Sequence, residues 1–252
     1  MEAYSSFSQV YDLFMDNIPY DDWADSVLRL FRKYGITEGI AADLGCGTGQ
    51  MTRRFALAGF DMIGIDVSSE MLDIASSRED APPGILYLQQ DLREMELYGT
   101  VRAFFSVCDT INYLLTEEDL TQVFRLVNNY LDPGGIFVFD VNTPRFYEEI
   151  GSSTIAENRD EASFVWENEF DPDSLLNEYR MTFYIRENGD SSSALYRRFE
   201  ELHTHRAYTL DVIKKSLSDA GLVFLEVSDA DTGEEPSPMT VRYLIAAKEH
   251  GK

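Results

Sequence analysis

Between positions 40 and 49 the chain reads Ile40-Ala41-Ala42-Asp43-Leu44-Gly45-Cys46-Gly47-Thr48-Gly49, an apolar run closed by an acid and then broken by alternating glycines. Glycine spares a loop its Cβ, so the backbone can bend sharply and approach a ligand, and the helix that follows offers unpaired N–H groups. The chemistry is that of holding a small ligand. A dinucleotide fingerprint starting at Gly45 and Gly47 needs a third glycine at position 50, where Gln50 stands, so the spacing argues against a nicotinamide-dependent oxidoreductase. Asp66, Asp91 and Asp109 likewise follow short apolar runs. Acids repeated in this way suit a ligand with hydroxyls, an amino group and a positive centre, because one carboxylate can take two vicinal hydroxyls through charge-assisted hydrogen bonds. Asp109, His203 and His205 are candidate general bases, with Tyr113 as an orienting group. Histidines at i and i+2 of a strand share a face, which is either a cleft wall or an exposed hydrophilic surface.

The elements that position these residues follow from periodicity. Residues 1–39 carry Tyr4, Phe7, Tyr11, Phe14, Tyr20 and Trp23, then Val27, Leu30, Phe31 and Tyr34 at helical spacing, with Gly35 as a stop: an N-terminal helical cap. From 40 to 141 short apolar strands alternate with amphipathic helices, which predicts a parallel sheet with helices on both faces. Strands are expected at 40–44, 61–65, 85–88, 101–107 and 136–141. Helix caps are expected at Ser68 or Ser69, at Thr116 with Asp119, and at Thr209, and Pro133-Gly134-Gly135 closes the helix before strand five.

Residues 145–208 switch to period-two alternation: Phe164, Trp166 and Phe170; Tyr179, Met181, Phe183 and Ile185; Tyr196, Arg198, Glu200 and Leu202. Turn signals at Asp171-Pro172-Asp173-Ser174 and Asn188-Gly189 make this a three-stranded antiparallel meander. A helix from Thr209 and strands at 223–227 and 243–247 complete seven strands.

Taken together, these motifs resemble the class I S-adenosylmethionine-dependent methyltransferases. Asp43-Leu44-Gly45-Cys46-Gly47-Thr48-Gly49 is similar to their motif I, whose backbone lies against the methionine and ribose of the cofactor. Asp66 matches the motif II acid that accepts from both ribose hydroxyls, with Val67 and Met71 flanking the adenine. Asp91 matches the acid facing the adenine amino group, with the Leu92 backbone beside it. The resemblance implies a Rossmann-like α/β fold, a mostly parallel seven-stranded sheet whose last strand is antiparallel, with an inserted antiparallel β lid. It assigns residues 1–144 and 209–252 to the cofactor-binding domain and 145–208 to a substrate lid. It also implies that the N-terminal arm folds over the cofactor, bringing Tyr11 and Trp23 to the pocket, and that Cys46 and Cys108 line the crevice as small, soft side chains. The cofactor is then S-adenosylmethionine, and the reaction an in-line methyl transfer to N, O or S of a small-molecule acceptor. A sensor that binds the cofactor without using it, or a methyltransferase acting on protein or RNA, is the alternative.

Bulk composition narrows the partners. The 252 residues carry a formal charge of −24, which repels phosphate backbones and argues against nucleic acid. Two cysteines are too few for a disulfide framework and lack zinc-site spacing, so no metal is expected. The N-terminus lacks signal-peptide character and no apolar run reaches spanning length, which predicts a cytoplasmic protein off the membrane. A monomer or homodimer is expected, and no motif chooses between them.

Overall fold

The computed structural model describes residues 7–187 and 195–252. Two N-terminal helices, α1 (Ser8–Phe14) and α2 (Tyr20–Lys33), precede the alternating region. There, β1 (Ile40–Leu44), α3 (Gln50–Leu57), β2 (Asp61–Asp66), α4 (Ser69–Ser77), β3 (Leu86–Gln89), β4 (Val101–Ser106), α5 (Glu117–Tyr130) and β5 (Leu131–Asn142) follow in order. After the inserted region come α7 (Leu210–Asp219), β10 (Val223–Asp229) and β11 (Arg242–Lys248). The sheet runs β10-β11-β5-β4-β1-β2-β3, and β11 is antiparallel to both its neighbours while the pairs from β5 to β3 are parallel. Strand order therefore reverses between β1 and β4, and the crevice for a ligand opens at their carboxyl ends.

The three expected caps form. Ser68 Oγ accepts from Met71 N, Thr116 Oγ1 from Asp119 N, and Thr209 Oγ1 from Val212 N. Each satisfies an amide that the first helical turn leaves unpaired. Apolar faces of the helices cover both sides of the sheet, with Phe104, Phe124, Phe137 and Phe139 in one layer and Phe31, Phe55 and Phe105 in the other, all fully buried. Pro133-Gly134-Gly135 does not separate α5 from the next strand, since β5 already begins at Leu131 and carries the Pro-Gly-Gly within it.

The insertion holds α6 (Pro144–Ile150), β6 (Thr154–Asn158), β7 (Ala162–Asp171), β8 (Leu176–Arg186) and β9 (Tyr196–Arg206). Its antiparallel sheet has four strands in the order β6-β7-β8-β9, one more than the expected meander. The extra strand, TIAEN, is short and mostly exposed, so it carries no alternating apolar signal. The face of β9 also differs from the period-two reading: Tyr196, Arg198, Glu200 and Leu202 point outward, while Glu201, His203 and His205 are buried. A one-residue change in phase moves every side chain to the other face. The inner face packs on α1 through Phe7, Val10, Phe14, Phe164, Tyr179, Met181 and Phe183. The turn expected at Asn188-Gly189 lies outside the described residues.

Candidate active site

The loop after β1 is built for close backbone approach. Gly45, Gly47 and Gly49 have φ of 74, 51 and 77°, the left-handed region that side chains disfavour. A Cβ on Gly45 would sit 2.3 Å from the Thr110 side chain, whereas one on Gly47 would meet nothing within 4 Å, because that residue borders an open cleft. The loop is pinned to β2 by Gly45 N and Cys46 N, which both donate to the Ile65 carbonyl. At the end of β2, Asp66 accepts from Gly47 N at 2.8 Å through Oδ2 and from Ser68 N at 2.9 Å through Oδ1. Each oxygen keeps a further lone pair for a donor in the cleft.

That cleft encloses about 620 Å³ and is bordered by Gly45, Gly47, Asp66, Val67, Met71, Asp91, Leu92 and Cys108, together with Tyr11 of the arm, Tyr113 from the segment after β4, and Leu202, His203 and Thr204 of β9. A narrow continuation reaches Asp43 and Cys46. Of the residues expected to hold a cofactor, Trp23 alone borders neither space: its ring lies 4.2 Å from the Arg242 guanidinium and packs edge-on to Tyr20. Asp91 borders the cleft with its carboxylate forked onto the Arg93 guanidinium, so a ligand amino group must share or displace that partner. Tyr11 is carried by α1, which is latched down at Asp12: its carboxylate accepts from Thr48 Oγ1 at 2.7 Å and pairs with Arg78 at 2.5 Å. Burial and adjacent carboxylates push both thiols up, Cys46 beside Asp43 and Asp66, and Cys108 beside Asp140 and Asp109, so both are protonated wall residues.

Asp43 is buried and accepts from Thr52 Oγ1 at 2.6 Å. Burial, with the Asp66 charge adding to it, lifts its carboxyl to about 7. Folded protein then holds this proton up to about 7 while unfolded chain releases it near 3.9, so ionising Asp43 lowers stability as pH rises between those values. Asp43→Asn, which does not titrate, should gain stability over the unaltered protein from pH 4 to pH 8, by up to about 4 kcal/mol at 1.36 kcal/mol per pH unit. Urea unfolding of both proteins without ligand at pH 5 and pH 8 checks this; a gap that does not widen contradicts it.

Beyond β4 the backbone turns through Cys108 (φ 63°) and Asp109 (φ 55°), two consecutive non-glycine residues in the left-handed region. Such a turn is costly alone. It is held because the two amides converge on one carboxylate: Cys108 N donates to Asp140 Oδ2 at 3.1 Å and Asp109 N to Asp140 Oδ1 at 3.0 Å. Arg242 pairs with Asp140 at 3.2 Å and with Asp231 at 2.6 Å, and Trp23 stacks on its guanidinium. Trp23 thus supports the site from behind.

The turn leads into a 3-10 helix, Thr110–Tyr113. Fully buried Asn112 fixes it, donating to the carbonyls of Asn142 and Arg206 and accepting from Asn142 N, so one amide ties the ends of β4, β5 and β9 together. Tyr113 is thereby brought to His203, its hydroxyl 2.8 Å from His203 Nδ1. Asp109 and His205 do not border the cleft. The Asp109 carboxylate accepts from Asn142 Nδ2 at 3.3 Å and lies 3.8 Å from His205 Nδ1; burial and the Asp140 charge push it up to about 8. Burial, with His203 adjacent, pushes His205 down to about 3, so it is neutral and weakly basic. Sequence reasoning missed Asn112, Asp140, Arg242 and Glu201, whose carboxylate Oε2 lies 3.1 Å from His203 Nε2. Only Glu201 left a readable signal, as the residue two before His203 on the same strand face.

The family model for a methyltransferase domain matches residues 41–135, the segment that carries the glycine loop and the strand-end acids. YqeM of Bacillus subtilis (strain 168), named as a methyltransferase, is 33% identical over 247 residues, spanning 97% of this chain and 96% of that one. The chain belongs to the class I S-adenosylmethionine-dependent methyltransferases. Among solved structures, an S-adenosylmethionine-dependent methyltransferase from Clostridium acetobutylicum ATCC 824 superimposes with a TM-score of 0.85 at 27% identity, covering 99% of this chain and 100% of that one. A dTDP-3-amino-3,4,6-trideoxy-alpha-D-glucopyranose N,N-dimethyltransferase of Streptomyces venezuelae is 30% identical over 135 residues, 53% of this chain and 56% of that one. No helix among the described residues of this methyltransferase is long and apolar enough to cross a membrane.

Proposed function

We propose that this methyltransferase transfers a methyl group from S-adenosylmethionine to a nitrogen, oxygen or sulfur atom of a small molecule held between the glycine loop and the four-stranded sheet. The observation that carries the reading is the single cleft of about 620 Å³ that joins the Gly47–Asp66 cradle to Tyr11, Tyr113 and His203 beneath β9. A site roofed by an arm and a sheet suits a compact acceptor better than a polymer. Half-length similarity to an amino-sugar dimethyltransferase, which acts on a small molecule, points the same way.

The residues present fit the cofactor. Gly47 leaves room where a side chain would intrude, Asp66 has lone pairs for two ribose hydroxyls, and Val67, Met71 and Leu92 supply an apolar wall for a purine. The bound cofactor supplies the methyl carbon on a sulfonium sulfur that departs as a neutral thioether. The protein's own work is to hold the acceptor in line, exclude water and accept a proton. Positioning can contribute about 7–11 kcal/mol, a general base about 10²–10⁴-fold.

The test is incubation with methyl-labelled cofactor and a mixture of small metabolites, read by mass spectrometry, with bulk protein and RNA as parallel acceptors. Labelled small-molecule product is expected. Label appearing only on protein or RNA, or tight cofactor binding with no product from any pool, would overturn the reading.

A further inference from the structure

We infer that Tyr113, His203 and Glu201 form a proton relay leading from the cleft to a buried acid, which assigns the acceptor to compounds whose attacking atom bears a proton to be removed, a hydroxyl or an amine. The inference rests on the small-molecule methyl-transfer reading and adds the acceptor chemistry and a positioning residue, Glu201. Its basis is the order of donors and acceptors. Glu201, buried beneath α1, accepts the Phe7 backbone N–H at 2.9 Å on Oε1 and places Oε2 3.1 Å from His203 Nε2. With Glu201 as a carboxylate, which only accepts, the imidazole proton would sit on Nε2. Nδ1 is then a lone pair, and the contact of 2.8 Å to it is a hydrogen bond donated by the Tyr113 hydroxyl. Each proton in the chain is aimed from the cleft toward the buried acid.

In the transfer step the acceptor heteroatom bonds to the methyl carbon and the C–S electron pair returns to sulfur. The proton on that heteroatom passes to Tyr113 Oη as the hydroxyl proton moves to His203 Nδ1. An imidazolium results, neutralised by Glu201, and the proton returns to solvent when the cleft empties. His205, which faces His203 along β9, is held neutral by its burial and does not compete for the charge. Among the described residues, the groups that face His203 include Tyr113 on the 3-10 helix, Glu201 on its own strand and Phe7 at the start of α1, whose ring lies edge-on to the imidazole. Tyr113 and His203 both border the cleft, with the Tyr113 hydroxyl as the group that meets the acceptor; Glu201 acts through His203, and the arm acts through Glu201. A thiol acceptor, partly ionised in water, would need none of this.

The chain has three histidines, so protein labelled with ¹⁵N-histidine gives three imidazoles, assignable with a His250→Gln variant. With S-adenosylhomocysteine bound, His203 should show the Nε2–H tautomer. Glu201→Gln presents an amide N–H to Nε2, so it should flip His203 to the Nδ1–H tautomer and lower its proton affinity tenfold or more. Tyr113→Phe should leave the Nε2–H tautomer but remove the hydrogen-bond shift at Nδ1. An Nδ1–H tautomer in the unaltered protein would overturn the relay, with no variant needed. So would a tautomer and proton affinity that Glu201→Gln leaves unchanged. S-adenosylhomocysteine affinity within twofold in both variants separates this result from the cofactor assignment, because loss of binding would strike the cradle and leave the tautomers standing.

Discussion

Asp66→Ala is expected to weaken S-adenosylhomocysteine binding about 10²–10⁴-fold, measured by titration calorimetry. A hydrogen bond to a charged group contributes about 1.5–3 kcal/mol, and a ribose offers two hydroxyls to this one carboxylate; about 1.4 kcal/mol is a factor of ten. The same substitution removes the acceptor of Gly47 N and Ser68 N, so the glycine loop and the start of α4 lose their shared anchor. Asp66→Asn, which keeps one oxygen, should fall between the two. Burial lifts the Asp66 carboxyl, so the charged form is held there at a cost, and replacing it should leave the unfolding midpoint within a few degrees. Unchanged affinity in Asp66→Ala would remove the ribose from this position and with it the reading of the cradle.

The second large effect is on stability. Arg242→Met should destabilise the protein by about 3–5 kcal/mol near pH 7, the usual consequence of leaving a buried partner charge unpaired. The partner is Asp140, 2% exposed, which also carries the left-handed Cys108–Asp109 turn on its two oxygens. Burial already raises the Asp140 carboxyl and the guanidinium opposes that rise, so its removal lets Asp140 protonate more readily. The loss should therefore be larger at pH 8 than at pH 5, because the folded state then retains a proton that the unfolded state has released. Adding Asp140→Asn to Arg242→Met should recover much of the loss while preserving an acceptor for one of the two amides. Denaturant unfolding at both pH values measures all three proteins; equal losses at pH 5 and pH 8 would show that Arg242 acts through packing on Trp23 instead.

Both effects fall on the carboxyl ends of neighbouring strands, yet they were unequally visible in the primary structure. Asp66 was legible because its meaning is local: a short apolar run, an acid at its end and a serine cap two residues on. The same holds for Asp43, the glycine loop and the caps at Thr116 and Thr209, each set by spacing within about ten residues. Arg242 and Asp140 are 102 positions apart, and Trp23 joins them from α2. No periodicity records such a pairing.

The inserted sheet shows the same division in one strand. Alternation along residues 196–206 predicts a strand, and that strand forms. It does not choose between the two faces when both carry charged and apolar residues, as Arg198, Glu200 and Leu202 alternate with Glu201, His203 and His205. The choice was made by the arm, since α1 covers one face and its Phe7 amide meets the Glu201 carboxylate across 194 residues of sequence.

By itself, then, the order of residues determined the alternating α/β architecture, the glycine loop and the acids placed at the strand ends, because backbone propensity, capping and strand-end placement are short-range. Tertiary structure alone decided which face of β9 turns inward, that Trp23 braces Arg242 instead of lining the cleft, and that Tyr113, His203 and Glu201 fall into one hydrogen-bonded line. Those outcomes depend on burying polar groups only where distant partners satisfy them, and that condition exists only once the sheet, the arm and the insertion have closed on one another.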